Sequence, residues 1–224
     1  ALQDDVASIR RFYESKGFFD VRVGRKIIVS PDQSEVQVNF LVDEGKPYTI
    51  ERITFRGNDS LPETQLRADL KLVEGERYDA DILQRDIRKI VRRYSPLGLI
   101  YLPQSSDPDY LQIDTKQIFE REPGKIELIY NIKEGKPFRM GRILVKGNDR
   151  TQDKVILREL RVASGELYNS GELQDAIDRL KGTPYFDGVT VTPIGTAPDV
   201  RDLLIEVHER RTASLTFGGG VSSN

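Results

Sequence analysis

The feature that most constrains this chain is that it repeats itself. Glu44-Gly45-Lys46-Pro47-Tyr48 returns as Glu134-Gly135-Lys136-Pro137-Phe138, an offset of 90 residues. In the same register Arg52-Ile53-Thr54-Phe55-Arg56-Gly57-Asn58-Asp59 matches Arg142-Ile143-Leu144-Val145-Lys146-Gly147-Asn148-Asp149. Gly75-Glu76-Arg77-Tyr78 matches Gly165-Glu166-Leu167-Tyr168, and Leu83, Ile87 and Ile90 match Leu173, Ile177 and Leu180. A unit of about 75–90 residues is a small domain rather than a solenoid repeat of a few tens of residues. Tyr13-Glu14-Ser15-Lys16-Gly17-Phe18 aligns with Tyr94-Ser95-Pro96-Leu97-Gly98-Leu99, so a partial copy precedes the two full ones. The expected domains are a partial copy at 1–46, holding only the back half of the unit, and complete copies at 47–136 and 137–210. Residues 211–224 remain outside the repeat.

Each full unit reads as strand, helix, helix, strand, strand. Ile50 to Arg56 alternates with Ile53 and Phe55 on one face, the pattern of a half-buried strand. Gly57-Asn58-Asp59 is a turn signal. Ser60-Leu61-Pro62-Glu63 offers an N-cap serine, an early proline and a capping-box glutamate, predicting a helix to about Leu70. A second helix is expected from near Asp79, with Leu83, Ile87, Ile90, Val91 and Tyr94 as its buried stripe. Gly98 ends it, a strand is expected from Leu99, and the last strand spans Ile126 to Ile132. The final unit repeats the order, with strands at 139–146, 188–194 and 201–208 and helices at 152–160 and 170–181. Pro103 to Gln117 reads as a long excursion between the last two strands of the middle unit.

Composition narrows the function. The chain has no cysteine and a single histidine, His208, which removes thiolate chemistry, disulfides, histidine metal clusters and most histidine relays. No cofactor and no catalytic residue is expected. Basic and acidic residues nearly balance at 34 and 36, which argues against a nucleic-acid binder. No run of about 18 apolar residues occurs, so no transmembrane helix is expected. Ala1-Leu2-Gln3-Asp4-Asp5 lacks the basic and apolar regions of a signal peptide.

The motifs Lys16-Gly17-Phe18-Phe19-Asp20-Val21, Glu44-Gly45-Lys46-Pro47, Phe55-Arg56-Gly57-Asn58, Glu134-Gly135-Lys136-Pro137, Val145-Lys146-Gly147-Asn148 and Tyr185-Phe186-Asp187-Gly188-Val189 carry a family resemblance. Their order and repetition resemble POTRA (polypeptide-transport-associated) domains, of the kind found in BamA-like outer-membrane assembly factors. The resemblance implies an α+β fold: an elongated array of β-α-α-β-β units, each a three-stranded mixed sheet with two helices on one face. Beyond the repeats, Ala213, Leu215, Phe217, Gly219 and Val221 alternate with small or polar residues. That is the dyad pattern of a barrel strand, at about the 9–11 residues such a strand needs. Residues 211–224 are therefore expected to start the first strand of a transmembrane β-barrel.

The resemblance implies a periplasmic segment at the outer membrane that receives unfolded β-barrel proteins, accessory lipoproteins or periplasmic chaperones. The mode it implies is strand addition at an exposed sheet edge, where unpaired N–H and C=O groups accept an extended client. The edge used in the family follows the second helix. Here the candidates are Val21-Arg22-Val23-Gly24-Arg25, Leu99-Ile100-Tyr101-Leu102 within 99–104, and Val189-Thr190-Val191-Thr192. Gly45-Lys46-Pro47 and Gly135-Lys136-Pro137 are read as inter-domain hinges, stiffened by the restriction that proline places on the residue before it. Two-partner secretion or TamA-like translocation factors would use the same domain, and a periplasmic structural module is the reading from another class. Blander readings hold elsewhere. His208 with Glu206 lies on a polar strand face, Asp107-Pro108-Asp109 lacks the glycine and glutamate of a calcium loop, and Gly218-Gly219-Gly220 lacks the lysine of a phosphate loop. The basic face Arg85, Arg88, Lys89, Arg92 and Arg93 reads as solvated.

Overall fold

The computed structural model describes residues 2–103, 105–120, 122–195 and 197–210. The chain divides into two compact units, residues 1–94 with 101–135, and residues 95–100 with the chain from 136 onward. The first unit opens with α1 (Leu2–Ser15) and the hairpin β1 (Arg22–Val29) and β2 (Val36–Asp43). It continues with β3 (Thr49–Arg56), α2 (Glu63–Arg67), α3 (Ala80–Tyr94), β4 (Gln112–Phe119) and β5 (Lys125–Lys133). The second unit contains β6 (Arg139–Lys146), α4 (Asp153–Leu160), α5 (Ser170–Lys181), β7 (Phe186–Ile194) and β8 (Val200–Glu209).

Both complete copies form a three-stranded mixed sheet in which the last strand in sequence lies in the middle. The orders are β3-β5-β4 and β6-β8-β7, each with one parallel and one antiparallel pair. Each central strand is flanked on both edges and buries one face as a continuous apolar row. Ile126, Leu128, Ile129, Tyr130 and Ile132 of β5 are buried, as are Leu203, Ile205 and Val207 of β8. The Phe55 and Tyr130 rings stack with centroids 4.9 Å apart across β3 and β5. In the second unit the buried Arg201 places its guanidinium 4.1 Å from the centre of the Phe138 ring and donates to the Ala197 and Val200 carbonyls.

The second helix of each copy forms as its spacing predicts, except that Val91, expected in the buried stripe, is only half-buried. Leu83, Ile87, Ile90 and Tyr94 are buried along α3, and Leu173, Ala176, Ile177 and Leu180 along α5. Both helices are capped at equivalent positions. Asp79 Oδ1 accepts from the Asp81 and Ile82 amides at 2.8 and 3.1 Å, and Asn169 Oδ1 accepts from Gly171 and Glu172, both at 3.2 Å. A side-chain oxygen here satisfies amides that have no carbonyl partner inside the helix.

The first helix of the middle copy is shorter than its sequence suggests, only Glu63–Arg67. Ser60 does not cap it. Its amide donates to Glu134 Oε1 at 2.9 Å and its hydroxyl to the same carboxylate, while Pro62 takes the cap position with no side-chain bond. Glu209 does the equivalent in the last copy, accepting from the Arg150 and Thr151 amides at 2.9 and 2.7 Å. The turn before each first helix is thus held by the acid that ends its own repeat. Gly57 and Gly147 make that turn with φ of +74° and +82°, and a Cβ at either would sit 2.1 Å from the carbonyl oxygen of Ile132 or Val207. Only glycine fits there.

Asp86 explains the early end of α2. Its carboxylate is fully buried and accepts from the Lys71 and Leu72 amides, both at 2.8 Å, and from Lys89 Nζ at 3.0 Å. The chain after α2 therefore bonds to α3 rather than continuing its own helix. Removing one partner of a buried charged network leaves unsatisfied donors and costs about 3–5 kcal/mol. We predict that Asp86→Ala lowers the unfolding free energy of the chain by about 3 kcal/mol in urea titrations, whereas the exposed Asp69→Ala costs under about 1 kcal/mol.

Candidate functional site

Because β5 and β8 are central, each complete copy has two outer strands. In the middle copy the outer edge of β3 is closed by the copy itself. The chain at 75–78 runs alongside it as a short antiparallel rung. The Ile50 amide donates to Glu76 at 2.8 Å, Gly75 donates back to the Ile50 carbonyl at 2.7 Å, and the Tyr78 amide donates to Tyr48 at 3.0 Å. Further along, side chains replace backbone. The Ile53 amide donates to Glu74 Oε1 at 3.2 Å, the Ile53 carbonyl accepts from Arg67 Nη2, and Arg67 Nη1 holds Glu74 at 3.0 Å. Burial works against the Glu74 charge, but the Ile53 amide and the Arg67 guanidinium outweigh it and hold the carboxyl below its ordinary value.

In the last copy the rung recurs. The Met140 amide donates to Glu166 at 2.8 Å, Gly165 donates to Met140 at 2.7 Å, and Tyr168 donates to Phe138 at 2.8 Å. The side-chain closure does not recur, since Leu157 and Ser164 stand where Arg67 and Glu74 stand in the middle copy.

The opposite edges are β4 and β7, each paired, among the strands of the described residues, on its inner side alone, to β5 and β8. Val189, Thr190, Val191 and Thr192 lie in β7, with Val189 buried and both threonines exposed. The middle copy departs from expectation. Leu99, Ile100, Tyr101 and Leu102 form no edge strand. Leu99 and Ile100 are buried, and Tyr101 makes one isolated parallel bridge to Leu111. The edge strand is β4, which begins inside the stretch read from sequence as an excursion and runs two residues past its end. Leu99-Ile100 is too apolar to sit at a solvated edge, whereas Gln112-Ile113-Asp114-Thr115-Lys116-Gln117 can wet one face while pairing antiparallel with β5. In the partial copy, Arg22, Val23, Gly24 and Arg25 lie in β1, and Val21 is buried just before it. The β1–β2 sheet has two strands, so both its outer edges lack a strand partner among the described residues.

The partial copy packs on the middle one within the first unit. The Tyr48 amide donates to the Gly17 carbonyl at 2.8 Å, and Tyr48 Oη donates to Asp20 at 2.9 Å. Phe19 meets Tyr48, Tyr78 and Phe119 with ring centroids 5.1–5.4 Å apart. Lys16 Nζ reaches Asp79 and Asp81 at 3.1 and 2.6 Å, and Arg77 lies 4.2 Å over the Phe18 ring. The proposed hinge glycines Gly45 and Gly135 have φ of +69° and +71°, each followed by its lysine and proline.

His208 is exposed beside Glu206 in an open groove of about 740 Å³, with Lys146, Asp187, Thr190 and Arg210 on its walls. Among the described residues no group of three or more His, Cys, Asp or Glu side chains could hold a metal ion, and no helix is long and apolar enough to cross a membrane. The alternating stretch at 211–224 lies outside the described residues.

The POTRA family model, the surface antigen variable number repeat, matches residues 1–45, 48–135 and 138–210. The chain belongs to the POTRA family. Its POTRA repeats are 27% identical over 227 residues to the outer membrane protein assembly factor BamA of Nitratidesulfovibrio vulgaris, covering 99% of this chain and 27% of that protein. They are 25% identical to BamA of Neisseria meningitidis serogroup B, covering 96% of this chain and 26% of the relative. The chain thus spans about a quarter of the length of these two relatives. Among solved structures, POTRA3-5 of Haemophilus influenzae BamA superposes with a TM-score of 0.65 at 19% identity, covering 93% of this chain and 80% of that one. This likeness confirms the β-α-α-β-β fold.

The Glu74 closure gives a pH prediction. A carboxyl whose value is depressed on folding contributes stability above its unfolded value, and that contribution is lost as pH falls through the lowered one. The Ile53 amide shift is expected to titrate with a midpoint below 4.5. Glu74→Gln is expected to abolish that titration and leave the Met140 amide unchanged.

Proposed function

We propose that this chain is the periplasmic POTRA array of an outer-membrane β-barrel assembly factor. It binds unfolded barrel proteins and accessory subunits by strand addition and passes clients to a membrane barrel without chemical turnover. The observation that carries this reading is the pair of outer strands β4 and β7, each with one paired side and one side bare of any other strand among the described residues. An edge of this kind offers main-chain donors and acceptors whatever the client's side chains. The names of the relatives as assembly factors support the same reading, as does the barrel-like alternation of Ala213, Leu215, Phe217, Gly219 and Val221. Gly45-Lys46-Pro47 and Gly135-Lys136-Pro137 serve as hinges between repeats.

The energetics suit transfer rather than capture. A main-chain hydrogen bond contributes about 1 kcal/mol net, so four of them give about 4 kcal/mol, a millimolar affinity. Pro193, inside β7, offers no N–H and limits how far a client can pair along that strand.

Chemical-shift mapping with isotope-labelled protein and a barrel-strand peptide of alternating apolar residues tests the reading. Shifts are expected along Arg22–Arg25, Gln112–Phe119 and Val189–Thr192, weakly saturating. Shifts scattered over the surfaces of α3 and α5, or none at all, would overturn it.

A further inference from the structure

The duplicated unit ends the outer edge of its first strand in two different ways. In β3 the outward-facing groups are those of Tyr48, Ile50, Ile53 and Phe55, the first two met by the backbone at 75–78 and Ile53 by Glu74 and Arg67, while Phe55 has no hydrogen-bond partner there among the described residues. The equivalent outward positions in β6 are Phe138, Met140 and Ile143, since both strands share the same parallel register and the same bulge. The rung at 165–168 meets Phe138 and Met140. Beyond it, Ile143 and Val145 turn their N–H and C=O groups outward with no hydrogen-bond partner there among the described residues. Leu157 and Ser164 are too short or too apolar to reach them as Arg67 and Glu74 reach Ile53.

Two adjacent outward residues offer two donors and two acceptors, the pattern that one short extended segment satisfies. The surrounding charge selects among segments. β6 carries Arg139, Arg142 and Lys146 and no acid. Asp202 neutralises Arg142 through bonds of 3.0 and 2.7 Å, whereas Lys146, exposed beside Val145 and opposite Glu206 in the register, makes no ion pair among the described residues. Leu144, 40% exposed between the two open residues, adds an apolar contact.

We propose that the outer edge of β6 at Ile143 and Val145 is a second strand-addition site, taking a short extended segment that carries carboxylates, and that Arg67 and Glu74 block the equivalent edge of β3 at Ile53, leaving Phe55 alone too short a stretch to hold a strand. The site shares its binding mode with the function proposed above but lies on the other side of the sheet from β7, so the two can fail separately.

Hydrogen exchange on the free protein comes first. The Ile143 and Val145 amides are expected to exchange at least ten-fold faster than Ile53, and equal protection would overturn the proposal. Next, an end-blocked eight-residue peptide alternating valine and glutamate is titrated, with lysine replacing glutamate in the control. Shifts and new protection at Ile143 and Val145, at least five-fold stronger for the glutamate peptide, are expected. Equal response to both peptides overturns the acidic assignment. Shifts confined to β4 and β7 overturn the site while leaving the proposed function standing. Protection of Ile143 that rises with protein concentration alone assigns the edge to a second copy of the chain, and likewise overturns it. Leu157→Arg with Ser164→Glu, which rebuilds the closure, is expected to cut the response five-fold, and Arg67→Ala with Glu74→Ala to create one at Ile53. If either variant fails to fold, the exchange comparison and the peptide pair on the unaltered protein still decide.

Discussion

In each complete repeat the strand made last in sequence lies in the middle of the sheet, and most of the structure follows from that placement. The central strand must be apolar along the face that meets the helices, as Ile126, Leu128, Tyr130 and Ile132 of β5 are. It must pair parallel with the first strand, which demands a crossover long enough for two helices. It also leaves the first and fourth elements as outer strands with different fates. The first strand lies beside the loop that enters the second helix, so residues 75–78 and 165–168 can line its edge. The fourth element has no such neighbour in sequence. Exposure of β4 and β7 is thus built into the connectivity rather than into any particular side chain.

Much of this was legible in the residues. The offset of 90 residues exposed the duplicated unit, and the stripes Leu83–Ile87–Ile90 and Leu173–Ile177–Leu180 located the second helices because burial along a helix has a period that sequence preserves. Two local patterns misled. Ser60 through Glu63 has the spacing of a capping box, but Glu134, 74 positions away, competes for the same serine and wins. Leu99-Ile100-Tyr101-Leu102 has strand-forming composition, yet its apolar side chains are worth more buried than lined along a wet edge. The true edge strand, Gln112–Phe119, is half polar and so resembles a loop. The Arg67–Glu74 closure belongs to no motif. Its only trace in sequence is a place where the repeats disagree, Arg67 against Leu157 and Glu74 against Ser164.

Divergence between copies is therefore as informative as their likeness. Asp86, which anchors the loop after α2, is replaced at the equivalent position by Ala176, and α4 ends instead on Arg161 in a left-handed conformation with φ of 53°. The two copies end the first helix by different means, one early with a buried carboxylate and one three residues later with a local turn. What they keep in common is the closing acid, Glu134 or Glu209, which binds the beginning of the unit to its end.

That first-to-last arrangement also governs how a repeat bears load. The chain enters the middle copy at Thr49 and leaves near Lys133, from opposite ends of two adjacent parallel strands. Tension along the chain therefore tries to slide β3 past β5, and all the rungs between them share the force at once. The β1–β2 hairpin is entered at Arg22 and left at Asp43, which face each other across the same rung. The same tension would open it one rung at a time, from the end inward. A pull transmitted through this protein would then be resisted by its complete repeats and yielded to by its hairpin.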